Sequence, residues 1–165
     1  MPRIGECVYL TMEEIEAATR HALKIKDVDN KAGIYDDKKA SYTSAEVNIQ
    51  GSLGELAAHK LWCISWMPEV LPGPTKKGDI LIHDRWYDVK CQFPASFGRV
   101  MNINRRCERA AVVGFMCLDR KEDCFIYRGL ISKENAISQK YRTAHKNGDH
   151  GYFYEIPQKD LREIL

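Results

Sequence analysis

The segment Tyr87-Asp88-Val89-Lys90-Cys91-Gln92 sets an acid and an amine two residues apart. A strand alternates its faces, so Asp88, Lys90 and Gln92 would share one, and Tyr87, Val89 and Cys91 the other. Asp79 stands upstream, just before a short apolar run. Two carboxylates offer hard oxygen ligands to a divalent cation. Such a cation polarises a phosphoryl oxygen and lowers the pKa of a bound water. A lysine beside it stabilises charge on the phosphate or positions the attacking water. Burial would lower the pKa of that lysine, and carboxylates would oppose the change. These groups together suit phosphodiester hydrolysis. The competing reading is a solvated strand face with a cross-strand ion pair, which would add little stability. The choice turns on whether Asp79 converges on Asp88, a distance that spacing alone does not set.

The surrounding pattern predicts the elements that must position these groups. Thr11 followed by Glu14 makes a capping box, and Met12, Ile15, Ala18, Ala22 and Ile25 recur at helical spacing up to about Asp27. Residues 28–45 are polar and read as a loop. A second helix is expected from Ser44 or Asn48 to Trp62, with Leu53, Leu56, Ala57, Leu61 and Ile64 on one stripe. Gly51 and Gly54 weaken its propensity, and close approach to a neighbour would explain them. Pro68, Pro72, Gly73 and Pro74 mark a break. Asp79–Ile82 and Trp86–Gln92 read as a hairpin turning at His83, Asp84 and Arg85. Residues 93–109 read as irregular or a short helix. Strands follow at Ala110–Leu118 and Cys124–Arg128, joined by a turn at 119–122. Ser132 caps a helix from Lys133 to about Tyr141, residues 140–151 are polar loop, and Tyr152–Ile156 is a last strand before Pro157. The order predicts an α+β fold with a central mixed sheet.

Gly78-Asp79 followed by Tyr87-Asp88-Val89-Lys90 resembles the PD-(D/E)XK nuclease superfamily, with Gly78 where the superfamily name has proline. Gly51-Ser52-Leu53-Gly54-Glu55-Leu56-Ala57-Ala58 looks like the helix that carries its additional metal-site glutamate. Ala110-Ala111-Val112-Val113-Gly114-Phe115 is similar to the third core strand. Tyr127 to Glu134 and Tyr154 to Leu161 resemble the corresponding segments of small phage and bacterial nucleases. The resemblance covers residues 48–165. It implies one nuclease domain over 1–165, in which 1–45 supply an N-terminal helix and loop and 48–165 a restriction-endonuclease-like core. Asp79 and Asp88 would ligate Mg2+, or Mn2+ in its place, with the Val89 carbonyl as a further ligand. Glu55 would complete the site directly or through water. Lys90 would orient or activate the nucleophilic water. Gln92 would contact the scissile phosphate or a metal-bound water, or else be a surface glutamine. The implied activity is endonucleolytic hydrolysis of DNA, leaving 5′-phosphates. One site cuts one strand, so a symmetric homodimer is expected for duplex cleavage.

Charge distribution agrees with a polyanionic partner. The chain is only +2 overall, but residues 76–106 carry seven bases against three acids, whereas the first thirty carry six acids against four bases. Lys60, Lys76, Lys77, Arg99, Arg105 and Arg106 are candidates for backbone phosphates, each taken singly also a solvated charge. Phe93, Phe97 and Trp86 could stack on bases, with core packing the alternative for Trp86. His59, one turn after Glu55, sits at the site's edge or is simply packed. His145 and His150 read as surface residues.

Hydrophobic residues at 44% and charged residues at 29% exclude a disordered chain, and no apolar run is long enough to span a membrane. Six cysteines lack any CxxC spacing, and no signal peptide opens the chain. They are expected as free thiols in the cytoplasm of a bacterial or phage-infected cell. Two rivals remain: a DNA-binding protein that keeps the fold without catalysis, and a nuclease acting on RNA.

Overall fold

Thr11 and Thr43 open the two long helices by the same device. Each hydroxyl accepts the N–H of the glutamate three residues on, and that glutamate accepts the threonine's own N–H. The helices are α1 (Met12–Lys31) and α2 (Ser44–Leu61). The computed structural model describes residues 1–33, 43–70, 77–92, 99–122, 124–144 and 151–162, without the side chains of Ser44 and Arg106. α1 runs past its expected stop at Asp27. Lys31 pairs with Asp27 at 2.6 Å one turn back, and a cation suits a helix C-terminus. The expected loop at 28–45 is therefore shortened at both ends.

A five-stranded mixed sheet has the order β1-β6-β5-β3-β2. Its strands are β1 (Cys7–Val8), β2 (Ile80–Ile82), β3 (Arg85–Gln92), β5 (Gly114–Arg120) and β6 (Phe125–Ser132). β3 and β5 run parallel, and the other neighbours are antiparallel. A second sheet has the order β4-β8-β7, from β4 (Val100–Asn104), β8 (Tyr152–Pro157) and β7 (Arg142–Ala144). The α+β class with a mixed sheet is as expected.

The second sheet was not expected. Met101 to Asn104 alternates apolar with polar, but its asparagines imitate turn signals. Its partner β8 lies some fifty residues away, so only tertiary pairing makes it a strand. The same pairing converts Arg142–Ala144 from expected loop into β7. The helix after Ser132 is shorter than expected: α3 spans Lys133–Ala136, and a separate 3-10 turn follows at Gln139–Tyr141.

Strand β5 starts later than expected, at Gly114, and continues through Asp119, which was expected to be in a turn. Arg128 Nε and Gln158 Nε2 each donate to the Asp119 carboxylate at 2.7 Å. That satisfies an acid with no solvent exposure, so it can stay in the ladder. β6 likewise extends to Ser132 rather than ending at Arg128.

Both faces of the main sheet are covered. On one, Tyr87, Val89, Met116, Leu118 and Tyr127 pack with Leu53, Leu56 and Ala57 of α2 and Ala18 of α1. On the other, Phe115, Cys117 and Ile131 pack with Met101, Ile103, Tyr154 and Ile156 of the second sheet.

α2 lies unusually close to β3 at one point. A Cβ on Gly54 would stand 2.5 Å from Cys91 Cβ, so the expected use of this glycine is met. Gly51 was expected to act the same way, but a Cβ there would meet nothing within 4 Å. Gly54→Ala should gain about 1 kcal/mol of helix propensity and lose about 1–3 kcal/mol to overlap. The expected net result is a lower melting temperature. An unchanged or higher one would mean that α2 can move off β3 at little cost.

Candidate active site

The turn between β2 and β3 decides where Asp79 goes. It is a two-residue turn, His83-Asp84, with φ of 48° and 60°. Positive φ at both positions fits the type I′ geometry of tight hairpins. Arg85 is therefore already the first residue of β3 rather than part of the turn. The register pairs Ile82 with Arg85 and Ile80 with Tyr87, where the β2 ladder stops. β3 continues to Gln92, so its outer edge runs on beyond β2.

Asp79 fills the start of that edge. Its N–H donates to the Tyr87 carbonyl at 2.8 Å, and its Oδ2 accepts the Val89 N–H at 2.7 Å. The close approach also accounts for Gly78. A Cβ there would lie 2.6 Å from the Tyr87 oxygen, so neither proline nor any other side chain fits without movement. Asp88 and Lys90 lie beside Phe115 and Cys117 of β5, on the face turned to the second sheet. Glu55 comes from α2, which packs on the opposite face. Acids from α2, from the residue just before β2 and from β3 itself are thus gathered near the part of β3 that runs on beyond β2.

Their electrostatics record the convergence. Burial pushes the Glu55 carboxyl up to about 7; the charge of Asp88 adds to this and Lys90 opposes it. Burial also holds Asp79 well above the ordinary value, reinforced by Glu55 and Asp88. Lys90 Nζ donates to Asp88 Oδ1 in a short ion pair. Burial would pull the lysine down, but Asp88 and the neighbouring acid Asp79 outweigh it and hold it above its usual value. Lys90 is therefore a fixed cation near neutral pH. The bland alternative of a solvated strand face does not describe these groups: the Lys90 and Asp88 side chains are only 24% and 14% exposed.

Cys107 is a member of this cluster with no sequence signal beyond being a cysteine. It sits on a 3-10 turn, Arg105–Arg109, and its Sγ lies 3.8 Å from Asp88 Oδ2. Burial raises its pKa against the pull of Lys90, so the thiol stays protonated and donates to Asp88. Gln50 was also missed. Its Nε2 donates to Cys91 Sγ at 3.0 Å and to the Gln92 carbonyl at 3.3 Å, and Arg120 donates to its Oε1 at 2.9 Å. These bonds fix the end of β3 to α2, five residues before Glu55.

The other expected residues fall in different places. Gln92 is buried opposite Asp119, not on the surface. His59 is buried too, and its Nδ1 lies 2.8 Å from the Glu55 carbonyl of its own helix. Lys60 pairs with Glu14 of α1 at 2.7 Å, which ties the helices together. Lys77 and Arg99 are exposed. Arg105 is exposed and stands over the Tyr152 ring. Arg106 lies on the same 3-10 turn. Lys76, Phe93, Phe97, His145 and His150 lie outside the described residues. Trp86 packs into the core between the sheets.

No family model, curated protein or solved structure matches this chain. Among the described residues, no three His, Cys, Asp or Glu side chains are arranged as they stand to hold a metal ion. The donor chemistry nevertheless suits one. Glu55, Asp79 and Asp88 are oxygen donors coupled through their charges, with Lys90 as the cation that opposes them. When ionised, three carboxylates against one ammonium leave a net charge that a hard divalent cation would balance. No helix among the described residues is long and apolar enough to cross a membrane.

Proposed function

We propose that this protein is a magnesium-dependent nuclease that hydrolyses DNA phosphodiester bonds, built on a restriction-endonuclease-like core of the PD-(D/E)XK kind. The observation that carries this is the electrostatic coupling of Glu55, Asp79 and Asp88 with Lys90 around β3. A structural ion pair would need one acid and one base. Burial and the charge of neighbouring acids hold both Glu55 and Asp79 above the ordinary carboxyl range, and perturbed groups of this kind cluster at functional sites.

Glu55, Asp79 and Asp88 would hold the magnesium ion, with the Val89 carbonyl as a further ligand. Bound there, the ion would polarise the phosphoryl oxygen and acidify the attacking water. The chain's own groups supply positioning and charge. The Val89 N–H orients Asp79. Asp88 holds Lys90, which keeps its proton and therefore acts by stabilising the phosphate charge and orienting water, not as a base. Cys107 holds the second oxygen of Asp88. Gln92 would support the same end of the strand from inside. Duplex cleavage would require two copies of the site, which a homodimer supplies.

The test is to incubate the purified protein with duplex, single-stranded and branched DNA and with RNA, in magnesium or manganese, beside Asp88→Ala. The expected result is metal-dependent cleavage of DNA to 5′-phosphate ends, reduced about 10²–10³-fold or more in the variant. Wild type and variant equally inert on every substrate would refute the assignment. Faster cleavage of RNA than of any DNA would reassign the substrate.

A further inference from the structure

The second sheet carries a cationic surface beside the carboxylate cluster. Arg142 lies directly opposite Tyr154 in the β7–β8 ladder, and Tyr152 shares the face of Tyr154. That face is turned toward the main sheet, since Tyr154 and Ile156 pack with Phe115 and Cys117. Arg142 Cζ stands 3.7 Å from the Tyr152 ring centroid, and Arg105 Cζ stands 5.6 Å from the same centroid. Both arginines are exposed. The 3-10 turn Arg105–Arg109 joins this surface to the site: Cys107 touches Asp88, while Arg105 and Glu108 meet the tyrosines.

The ring is held in place from its far end. The hydroxyls of Tyr152 and Tyr154 both donate to Glu108 Oε1 at 2.8 Å, and the two rings meet edge to face at 5.7 Å. Glu108 thus spends one oxygen on the tyrosines. Among the described residues, neither guanidinium makes a hydrogen bond or a close ion pair to a protein acceptor, although the charge of both acts on Glu108. A guanidinium held over a ring by cation–π attraction keeps N–H donors available and loses less freedom on binding than an unbraced side chain. Its fork matches two phosphate oxygens. Two such forks against one carboxylate leave the patch positive.

We propose that Arg105 and Arg142, braced on Tyr152, form the docking surface for the phosphate backbone of the DNA strand that reaches the carboxylate cluster. The proposal rests on the nuclease reading above. The tyrosine face carries the arginines rather than a base, so the contact reads backbone and not sequence.

The test is fluorescence anisotropy of labelled duplex and single-stranded DNA in calcium, across a salt series from about 50 to 200 mM. Wild type is compared with Arg105→Ala, Arg142→Ala, the double variant, Arg142→Lys and an Arg20→Ala control on α1. Each alanine variant is expected to bind about 5–10-fold more weakly, with the salt slope reduced by about one. Arg142→Lys keeps the charge and loses the fork, so it should fall between wild type and Arg142→Ala. Arg20→Ala should match wild type. In magnesium, Arg142→Ala should raise KM and leave kcat within about twofold, as loss of uniform binding predicts. If wild type binds and cleaves DNA while all arginine variants keep its affinity and slope, the docking surface is wrong and the nuclease reading stands. If wild type binds no nucleic acid at all, both fall.

Discussion

Lys90→Ala should lose cleavage by about 10²–10³-fold and become unstable in a way that depends on pH. The lysine is the cation among Glu55, Asp79 and Asp88, and it is paired directly with Asp88. Without it the acids repel one another across a buried edge. Breaking a mostly buried pair costs about 3 kcal/mol, and the cost should be largest where the acids are ionised. In the presence of a chelator, denaturant unfolding at pH 8 should show the full loss. At pH 5 the gap should narrow, because Glu55, raised to about 7, then holds its proton in the folded state, and Asp79 is shifted in the same direction. Lys90→Arg restores charge but not the point geometry of an ammonium. It should therefore recover stability more than activity. Equal stability of Lys90→Ala and wild type at both pH values would show that the lysine does not compensate this cluster.

Glu55→Gln should stabilise the metal-free protein at pH 8 while removing activity. The sign follows from proton linkage. An unfolded glutamate releases its proton near its ordinary value of 4.5, whereas the folded carboxyl keeps it to about 7, through burial and the charge of Asp88. Between those values the folded state binds more protons, so stability falls as pH rises. Above about 7 the whole penalty is present. It amounts to about 2–3 kcal/mol once remaining solvent contact is allowed for. Glutamine removes the charge at constant size. Melting curves in chelator should therefore cross: wild type and variant alike near pH 4, the variant higher at pH 8. Asp79, raised in the same direction, makes the wild-type decline steeper. Added magnesium should raise the wild-type melting temperature through binding to the folded state and raise that of Glu55→Gln less. A variant less stable than wild type at pH 8 in chelator would contradict the cluster's electrostatics. Undiminished cleavage by it would remove Glu55 from the site.

Lys90 also separates what strand parity can say from what it cannot. Alternation alone put Asp88 and Lys90 on one face, and the structure agrees. Whether burial or carboxylates would set the lysine's protonation was open, because both effects were foreseeable and opposite. Asp88 on the same strand is the strongest influence holding the proton, and Cys107 and Asp79, brought in from other segments, add to it, so the outcome depends on tertiary neighbours as well as on β3.

Local signals were read correctly where the physics is local. The capping box at Thr11 follows from a hydroxyl, an N–H and a glutamate within one turn. The hairpin follows from two short apolar runs and a tight connection. Errors came where a distant partner overrides local preference. Asparagines in β4 and the polar β7 become strands because β8 offers them hydrogen bonds. Asp119 stays in β5 because Arg128 and Gln158 satisfy it.

By itself the amino-acid order determined the α+β class, the capped first helix and the parity that puts Asp88 and Lys90 on one strand face. Those rest on periodicity and on side-chain chemistry, which neighbours in sequence settle, whereas the expectation that Glu55 joins Asp79 and Asp88 came from the family resemblance. Tertiary structure alone decided that these acids feel one another's charge. That required a two-residue turn ending the β2 ladder at Tyr87, and Gly54 letting α2 reach β3. It also decided that Cys107 and the Arg105–Tyr152–Arg142 stack stand beside them. Such meetings depend on the register and closeness of segments far apart in the chain, which no local pattern encodes.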